Sequence, residues 1–400
     1  MSFISFLLTL HLVITAYLGW RFQWAFGAFF PAPLDRWYVY WPMILLIVAI
    51  YPLTHFYFNR HFAHIELPSW FLLTTALLFG FLAIAFTTTL MFDIVALIVR
   101  FIKAAQPVTQ YIHHHRPIVG LFVLTLIVAQ VVYGFYLAHT PRETYFSIHI
   151  DKPIHRENNR LRIVHLSDSH ILSYTSTESY EKLVNRINAL DPDLIVFTGD
   201  IVDRSIKPFI DQNFSAIFSR LRSRYGVYAV LGNHEYYGES PTLAAETFRR
   251  AGLRTMRDEV LYLEDVGVTL IGRDDRTRGS KRMALVSDQD PLTRTPRASV
   301  AELVTLADPA TPLIMLDHQP FELDLAATAK IDLQFSGHTH NGQLFPFNLI
   351  VAQIFENPWG LLKKGSYHSI VSCGVGTWGP PLRLLSYSEI VVTDITFAER

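Results

Sequence analysis

The stretch LIVFTGDIVDR, residues 194–204, decides the fold of the second half of the chain. Its first five residues, Leu194–Thr198, are apolar or β-branched and fit a short strand. Gly199 and Asp200 end that strand, and Asp203 follows shortly after them. In α/β proteins, ligands bind beyond the carboxyl ends of the strands. The segment therefore predicts a sheet whose polar residues gather at one edge.

The same pattern, an apolar run followed by polar residues, recurs on both sides of this stretch. Further strands are predicted at 161–166, 227–231, 313–316 and 331–335. Helices are predicted at 177–190 and 208–222, and a long loop at 273–295. Alternating strands and helices are typical of an α/β domain.

Asp, Asn or His follows each of the five predicted strands. A single such residue is usually a helix cap or a turn residue, but five at once indicate a shared site. The set comprises Asp168, His170, Asp200, Asn233, His234, His318, His338 and His340. Nitrogen and oxygen ligands without a thiolate suit Mn²⁺, Fe or Zn²⁺ better than Ca²⁺ or Mg²⁺. Because the set is too large for one metal with an open position, it predicts two metals that share a carboxylate, as in phosphoryl chemistry.

The first 140 residues differ sharply in composition from the rest. They carry six Lys/Arg and three Asp/Glu, whereas residues 141–400 carry 28 and 32, so the net charges are +3 and −4. This contrast excludes a wholly soluble chain, a disordered chain and a strongly basic nucleic-acid binder. The single cysteine, Cys373, excludes an intramolecular disulfide and a cysteine-based zinc module.

Long apolar stretches predict an all-α membrane domain of four helices over residues 1–140. The four predicted spans are Ser2–Trp20, Trp37–Phe58, Ser69–Phe92 and Ile118–Ala138. Asp93 is expected at the edge of the bilayer, and His113, His114 and His115 in a polar interfacial loop. A small excess of cations in the odd-numbered loops predicts an integral, multi-pass protein whose C-terminal half lies outside the cytoplasm.

The motifs Asp-x-His, Gly-Asp-x-x-Asp, Gly-Asn-His-Glu, His and Gly-His-Thr-His, in this order, resemble the calcineurin-like metallophosphoesterase superfamily. Together with the four spans, they resemble its transmembrane type. The resemblance implies a four-layer αββα sandwich over residues 141–400, preceded by the membrane domain at 1–140. It also implies a dinuclear metal centre in the loops at one edge of the sandwich.

The resemblance also assigns roles to individual residues. The first metal would be held by Asp168, His170 and His340, and the second by Asn233, His318 and His338, with Asp200 bridging both. His234 would be the catalytic histidine, not a ligand, and Asp203 would orient it. Arg204 matches a phosphate-binding arginine of one branch of the superfamily. Arg273 begins a loop of net charge +3 at 273–282, which is either a solvated surface loop or a lid that binds anionic substrate or anionic lipid head groups.

These observations predict a membrane-anchored, metal-dependent phosphoesterase with two divalent ions (Mn, Fe or Zn). Its expected partners are the lipid bilayer and a phosphate ester, a phosphodiester or a lipid-linked phosphate at the membrane surface. One alternative is a nucleotide or nucleic-acid phosphodiesterase, although the charge of −4 on the second half does not favour nucleic acid. A second alternative is a membrane transporter or sensor with a relic phosphoesterase domain. The choice between monoester and diester, and the oligomeric state, stay open.

Overall fold

The computed structural model describes residues 3–30, 67–156, 158–238, 240–280 and 294–399. The chain divides into two compact units. The first, the helical unit, consists of Met1–Tyr136 and Gly379–Leu384. The second, the α/β unit, consists of Leu137–Trp378 and Leu385–Arg400.

The helical unit contains α1 (Phe3–Phe26), α2 (Ser69–Arg100), α3 (Gln106–His114) and most of α4 (Arg116–His139). Within the described part of the chain, α2 and α4 are long and apolar enough to cross a membrane. They contain the third and fourth predicted spans. The first predicted span lies largely within α1, and the second, 37–58, lies outside the described residues. The described residues therefore contain two candidate spans, and the predicted membrane domain of four helices is not confirmed.

Asp93 lies inside α2, which continues to Arg100. Its carboxylate forms an ion pair of 2.8 Å with Arg21 and accepts a hydrogen bond of 2.5 Å from the hydroxyl of Tyr17. Both partners lie on α1, so this contact ties the two helices together.

The expected loop at the three histidines is wrong for two of them. His113 and His114 are the last residues of α3, and only His115 lies outside it, as the C-cap. Pro107 stands in the first turn of α3, where its fixed φ favours a helix start and its missing N–H costs nothing.

The α/β unit is built on two mixed six-stranded sheets among the described residues. In the first sheet the strand order is β1-β12-β2-β3-β4-β5: Arg142–Ile150, Glu389–Phe397, Arg160–Leu166, Leu194–Thr198, Val227–Val230 and Arg254–Thr255. In the second it is β10-β11-β9-β8-β7-β6: Gly360–Lys364, Tyr367–Val371, Leu333–Ser336, Leu313–Leu316, Val268–Gly272 and Glu259–Leu263. The five strands predicted beside the motifs are β2, β3, β4, β8 and β9, and all five are confirmed. Because β2, β3 and β4 are parallel to one another, as are β8 and β9, their carboxyl ends share an edge within each sheet.

Short helices alternate with the strands of the α/β unit. They are α5 (Thr177–Ala189), α6 (Lys207–Asp211), α7 (Phe214–Phe218), α8 (Asn233–Tyr237), α9 (Pro241–Arg250), α10 (Val300–Val304), α11 (Leu323–Thr328) and α12 (Phe347–Ile354). The helix predicted at 208–222 is wrong in length. Asn213 breaks it into α6 and α7 by taking a left-handed conformation with φ of 55°, which asparagine tolerates better than most residues.

Buried apolar side chains form three clusters among the described residues. Ile163, Val196, Leu270 and Ile314 belong to the cluster between the two sheets. A second cluster, with Phe209, Phe214 and Phe248, joins α6, α7 and α9 to the first sheet. A third, with Val300, Leu303 and Leu323, joins α10 and α11 to the second sheet. Burial of these side chains holds the strands in place and so fixes the loops that carry the polar residues.

Candidate metal centre

The polar residues at the strand ends lie in tightly bent backbone. Asp168, Asp200, His338 and His340 have φ of 54°, 52°, 72° and 48°, a left-handed region that side-chain-bearing residues seldom occupy. Such strain is kept where the surrounding structure requires it, and it concentrates at functional sites. The strained residues all come from the motifs that follow β2, β3 and β9.

Two motif glycines allow the loops to approach one another. A Cβ atom at Gly337 would lie 1.8 Å from Oγ of Ser167 and 2.3 Å from Oδ2 of Asp168. A Cβ atom at Gly232 would lie 2.2 Å from Oδ1 of Asp200. Neither position has room for a side chain, so these glycines are required for the strand-end loops to meet.

Asp168, His170 and His340 form the first buried group. Nε2 of His170 lies 3.0 Å from Nε2 of His340, and the latter nitrogen lies 3.4 Å from Oδ1 of Asp168. The carboxylate of Asp168 also accepts the backbone N–H of His338 at 3.0 Å. Three ligand atoms from the loops after β2 and β9 thus converge on one point.

Asp200, His318 and His338 form the second group. Nε2 of His318 lies 3.2 Å from Oδ2 of Asp200 and 3.1 Å from Oδ1 of Asn233, which adds a fourth possible ligand. Nδ1 of His318 lies 2.6 Å from the carbonyl oxygen of Thr198 and donates to it. This hydrogen bond fixes the tautomer of His318 and leaves its Nε2 facing the group.

The side chain of Asp200 lies between the two groups. Its Oδ2 is 3.2 Å from Nε2 of His318 and 3.7 Å from Nε2 of His170. Its Oδ1 accepts the backbone N–H of His234 at 2.8 Å. Asp200 is therefore the carboxylate that contacts histidines of both groups.

His234 and Asp203 form a separate pair beside the first group. Nδ1 of His234 lies 2.7 Å from Oδ1 of Asp203, and the ring of His234 packs edge-on against His170 with 4.6 Å between ring centroids. His170, Asp203 and His234 also bring their ligand atoms within 4.8 Å of one another. The structure thus places the predicted catalytic pair next to the predicted ligands.

Electrostatic interactions among the buried groups shift several pKa values. Burial disfavours the charged form of His318, but Asp200 outweighs it and raises the pKa of His318 well above its usual range. Burial likewise opposes the charge on Asp168, yet His340 and His170 hold the pKa of that carboxyl well below normal. Burial and the neighbouring His318 lower the pKa of His338 to about 4. The cluster therefore contains both neutral and charged imidazoles beside ionised carboxylates.

Glu235 supports the site without belonging to either ligand group. Its carboxylate accepts the backbone N–H groups of Gly232 at 2.7 Å, Asp200 at 3.0 Å and Val202 at 3.1 Å. Burial and the charge of Asp200 raise the pKa of Glu235 to about 7. No sequence pattern points to this role, because backbone donors leave no trace in the identity of the residues that carry them.

Arg204 and Arg273 occupy different surroundings. Arg204 directly follows Asp203, has φ of 68° and is partly exposed. Arg273 is buried and donates to the carboxylates of Asp317 at 3.2 Å and Glu322 at 2.7 Å and to the carbonyl of Ala298 at 3.0 Å. The guanidinium of Arg273 is thus bound by carboxylates of the protein itself, which is not the position predicted for a residue that binds substrate. Lys281 and Arg282, from the same predicted loop, lie outside the described residues.

The donor chemistry of the two groups fits divalent metal ions. Each group pairs a carboxylate with two imidazoles, and Asn233 adds an amide oxygen to the second. Nitrogen atoms of two imidazoles 3.0 Å apart in a buried space need a shared proton or a cation to accept their lone pairs. The absence of sulfur from the two groups suits Mn, Fe or Zn and does not distinguish among them.

Known proteins that are similar to this chain are described as phosphoesterases. Residues 161–342 match the family described as calcineurin-like phosphoesterase. An uncharacterized metallophosphoesterase of Aquifex aeolicus is 34% identical over 268 residues, which cover 64% of this chain and 95% of that protein. An uncharacterized metallophosphoesterase of Helicobacter pylori is 32% identical over 64% of this chain, and the match spans 65% of its own length, slightly under two thirds. A Bos taurus protein described as a transmembrane protein with metallophosphoesterase domain is 32% identical over 69% of this chain and 61% of its own length.

Proposed function

This chain belongs to the calcineurin-like metallophosphoesterase family, and we propose that it is a membrane-anchored enzyme that hydrolyses a phosphate ester at a membrane surface. The observation that carries the proposal is the position of Asp200 between two buried groups of ligands, with the His234–Asp203 pair beside them. Two metal sites bridged by a carboxylate and flanked by an imidazole are suited to displacement at phosphorus.

We assign the first metal to Asp168, His170 and His340, the second to Asn233, His318 and His338, and the bridge to Asp200. When bound, two divalent ions would neutralise the phosphate oxygens and activate a water molecule. The backbone N–H of His234 fixes the carboxylate of Asp200, and the carbonyl of Thr198 fixes the ring of His318. The protein thus orients the ligands in advance through a surrounding set of hydrogen bonds.

His234 is the proposed general acid. Its Nδ1 is held by Asp203, so its Nε2 is the ring atom that can deliver a proton to the leaving oxygen of the ester. Arg204 stays a proposed contact to the phosphate. For Arg273, the ion pairs with Asp317 and Glu322 favour a supporting role: they hold the chain on both sides of His318, which we propose as a metal ligand.

A membrane location is part of the proposal. The candidate spans α2 and α4 support it, as does the transmembrane relative of Bos taurus. We propose that the spanning helices lie before residue 141 and that the α/β unit faces away from the cytoplasm. A lipid-linked phosphate or a lipid phosphodiester is the substrate class that suits an enzyme tethered in this way.

Purified full-length chain in detergent provides the test. We expect two equivalents of divalent metal by elemental analysis and metal-dependent hydrolysis of a chromogenic phosphodiester or phosphomonoester. Removal of metal by a chelator should abolish hydrolysis, and its return should restore it. Two full metal equivalents without hydrolysis of either ester would contradict the proposal and favour the relic alternative.

A further inference from the structure

Helix α12 presents an unusual surface for a helix of the α/β unit. Its sequence, FNLIVAQI, has no charged residue, and it has no buried residue. Phe347, Ile350 and Ile354 are 52%, 50% and 58% exposed. At spacings of three and four residues they lie on one face of the helix. Large apolar side chains exposed together in this way mark a surface that binds something apolar.

The start of α12 is fixed to the loop that carries two metal ligands. The helix follows His338 and His340 along the chain, and its first turn packs on Gly342 so closely that a Cβ atom there would lie 2.2 Å from the backbone nitrogen of Asn348. The position of α12 is therefore coupled to that of the ligand loop.

The end of α12 also contacts the site. Phe355, which follows the helix, has its ring centroid 5.8 Å from that of His338 and 4.8 Å from that of Phe321. The guanidinium of Arg276 lies over Phe321, 4.1 Å from its centroid. Arg276 is exposed, so a positive charge stands beside the apolar surface.

An exposed tryptophan lies beside the proposed catalytic histidine. Trp378 is 46% exposed, and its ring centroid lies 6.3 Å from that of His234. Gln343 holds it in place: its side chain donates to the carbonyl of Trp378 and accepts the N–H of Trp378, both at 2.9 Å. We call Phe347, Ile350, Ile354 and Trp378 the apolar rim. It is linked to His338 on one side and reaches His234 on the other.

The chain itself indicates what covers the apolar rim. Within the residues that the structure describes, two helices are long and apolar enough to span a membrane. The second of them ends at His139, and the first strand of the α/β unit begins at Arg142. Two intervening residues reach about 10 Å at most, so a bilayer spanned by this helix would lie near the start of β1. Uncharged aliphatic and aromatic side chains, with a tryptophan and a nearby arginine, suit the interface of a lipid bilayer.

We infer that the apolar rim inserts into the bilayer surface and delivers the phosphate of an embedded lipid directly to the metal centre. This inference rests on the proposed function and specifies its substrate class: an ester whose apolar part remains in the membrane during hydrolysis. Arg276 would then face the layer of lipid phosphates.

A depth measurement tests the insertion independently of catalysis. Cys373 is the only cysteine of the chain and is buried, so a cysteine introduced by Ile350→Cys can be labelled selectively with the fluorophore NBD. Leu306→Cys is the matched control, because Leu306 is 72% exposed on the same unit and lies outside the rim. With full-length protein in lipid nanodiscs, brominated acyl chains should quench the label at 350 and not the label at 306. Equal, water-like emission from both would overturn the inference, as would burial of the label at 350 by a second copy of the chain without lipid quenching.

A ratio of activities tests the functional consequence. The double variant Ile350→Asp/Ile354→Asp is assayed on a phosphodiester lipid in vesicles and on a soluble chromogenic diester. The ratio of the two kcat/KM values, lipid over soluble, should fall by about 10-fold or more, because two aliphatic side chains that would be buried in the bilayer are lost. Leu306→Asp should leave this ratio unchanged. An unchanged ratio in the double variant would overturn the inference. By contrast, wild-type protein that binds metal but hydrolyses neither substrate would contradict the proposed function, and the nanodisc measurement would still decide the insertion.

Discussion

Nδ1 of His234 lies 2.7 Å from Oδ1 of Asp203, while the backbone N–H of the same histidine donates to Oδ1 of Asp200 at 2.8 Å. One residue is thus held by the carboxylate that orients its ring and by the carboxylate that joins the two ligand groups. This arrangement separates two roles that a sequence motif alone cannot separate. His234 can act on the substrate while its backbone positions the proposed bridging ligand.

We expect His234→Ala to keep both metals and the fold but to lower kcat by about 10²–10⁴-fold, the usual contribution of a general acid. The ring is lost, whereas the backbone hydrogen bond to Asp200 remains. Elemental analysis and kinetics on the same preparation measure both effects. His170, Asp203 and His234 bring their ligand atoms within 4.8 Å of one another, so a metal-free variant would identify His234 as a ligand instead.

Asp200→Asn should lose the second metal or both metals, and its activity should fall by about 10²-fold or more. A neutral amide cannot offset the charge of two adjacent cations as a carboxylate does. Asp211→Asn is a suitable control, because Asp211 pairs with Lys207 at an exposed position. Full metal content with normal turnover in Asp200→Asn would contradict the bridging assignment.

Glu235→Gln should lower the free energy of unfolding by about 1–3 kcal/mol, the cost of leaving a buried polar group unsatisfied. The carboxylate now accepts hydrogen bonds from three backbone N–H groups. The NH₂ group of glutamine is itself a donor, so at least one of these backbone groups would lose its acceptor. Thermal unfolding of the metal-free protein gives the comparison, with the exposed Glu264→Gln as control. Equal unfolding temperatures for the two variants would refute the supporting role of Glu235.

The strands beside the motifs could be predicted because a buried strand needs a run of apolar residues and because the chemistry at its end needs polar ones. Residues far apart in the sequence are harder to connect. Asp93 and Arg21 meet on neighbouring helices, and nothing in the spacing of the two residues predicts that contact. The edge strands β5, β6 and β10 lie outside the predictions, since each is short or only partly buried.

At the site, the metal-facing side chains can be predicted from the sequence, whereas the groups that support them cannot. The side chains that face the metal groups are chemically distinctive, so Asp168, Asp200 and His338 stand out in the sequence. Their supports do not: Glu235 acts on backbone groups, and Thr198 contributes only its carbonyl to His318. Arg273 illustrates the reverse case, because a charged residue in a basic loop is buried against Asp317 and Glu322.

Metal binding should weaken as the pH falls and should release protons. In the metal-free protein, burial opposes protonation of His170 and His318, but the neighbouring carboxylates outweigh it and raise the pKa of both. A raised pKa means that these imidazoles hold protons up to a higher pH than usual, and the protons must leave before the nitrogens can bind a metal. Titration calorimetry in two buffers of different ionisation enthalpy counts the protons. An affinity independent of pH between about 6 and 8 would contradict this prediction.

Two glycines of the helical unit allow the segment Gly379–Leu384 to pack against its helices. A Cβ atom at Gly80 would lie 2.5 Å from Cδ1 of Leu382, and the carbonyl of Gly134 accepts the backbone N–H of Arg383 at 2.9 Å. Arg383 is completely buried, although trypsin cleaves after arginine wherever the chain is accessible. The native protein should therefore resist cleavage at this position.

Gly80→Leu should displace the segment, because a side chain at that position has no free space. Trypsin should then cut after Arg383 at least about 10-fold faster than in the wild type, since overpacking costs roughly 1–3 kcal/mol. Gly120→Leu is the matched control: a Cβ atom there would meet Ala25 at 2.5 Å and would disturb helix packing without contacting the segment. Mass spectrometry of the fragments identifies the cut. If both variants were cut after Arg383 at the same rate, the protection would come from general helix packing and not from the glycine contact. Rapid cleavage only in Gly80→Leu would establish that the helices hold a segment contributed by the C-terminal part of the chain, which directly follows Trp378 of the apolar rim.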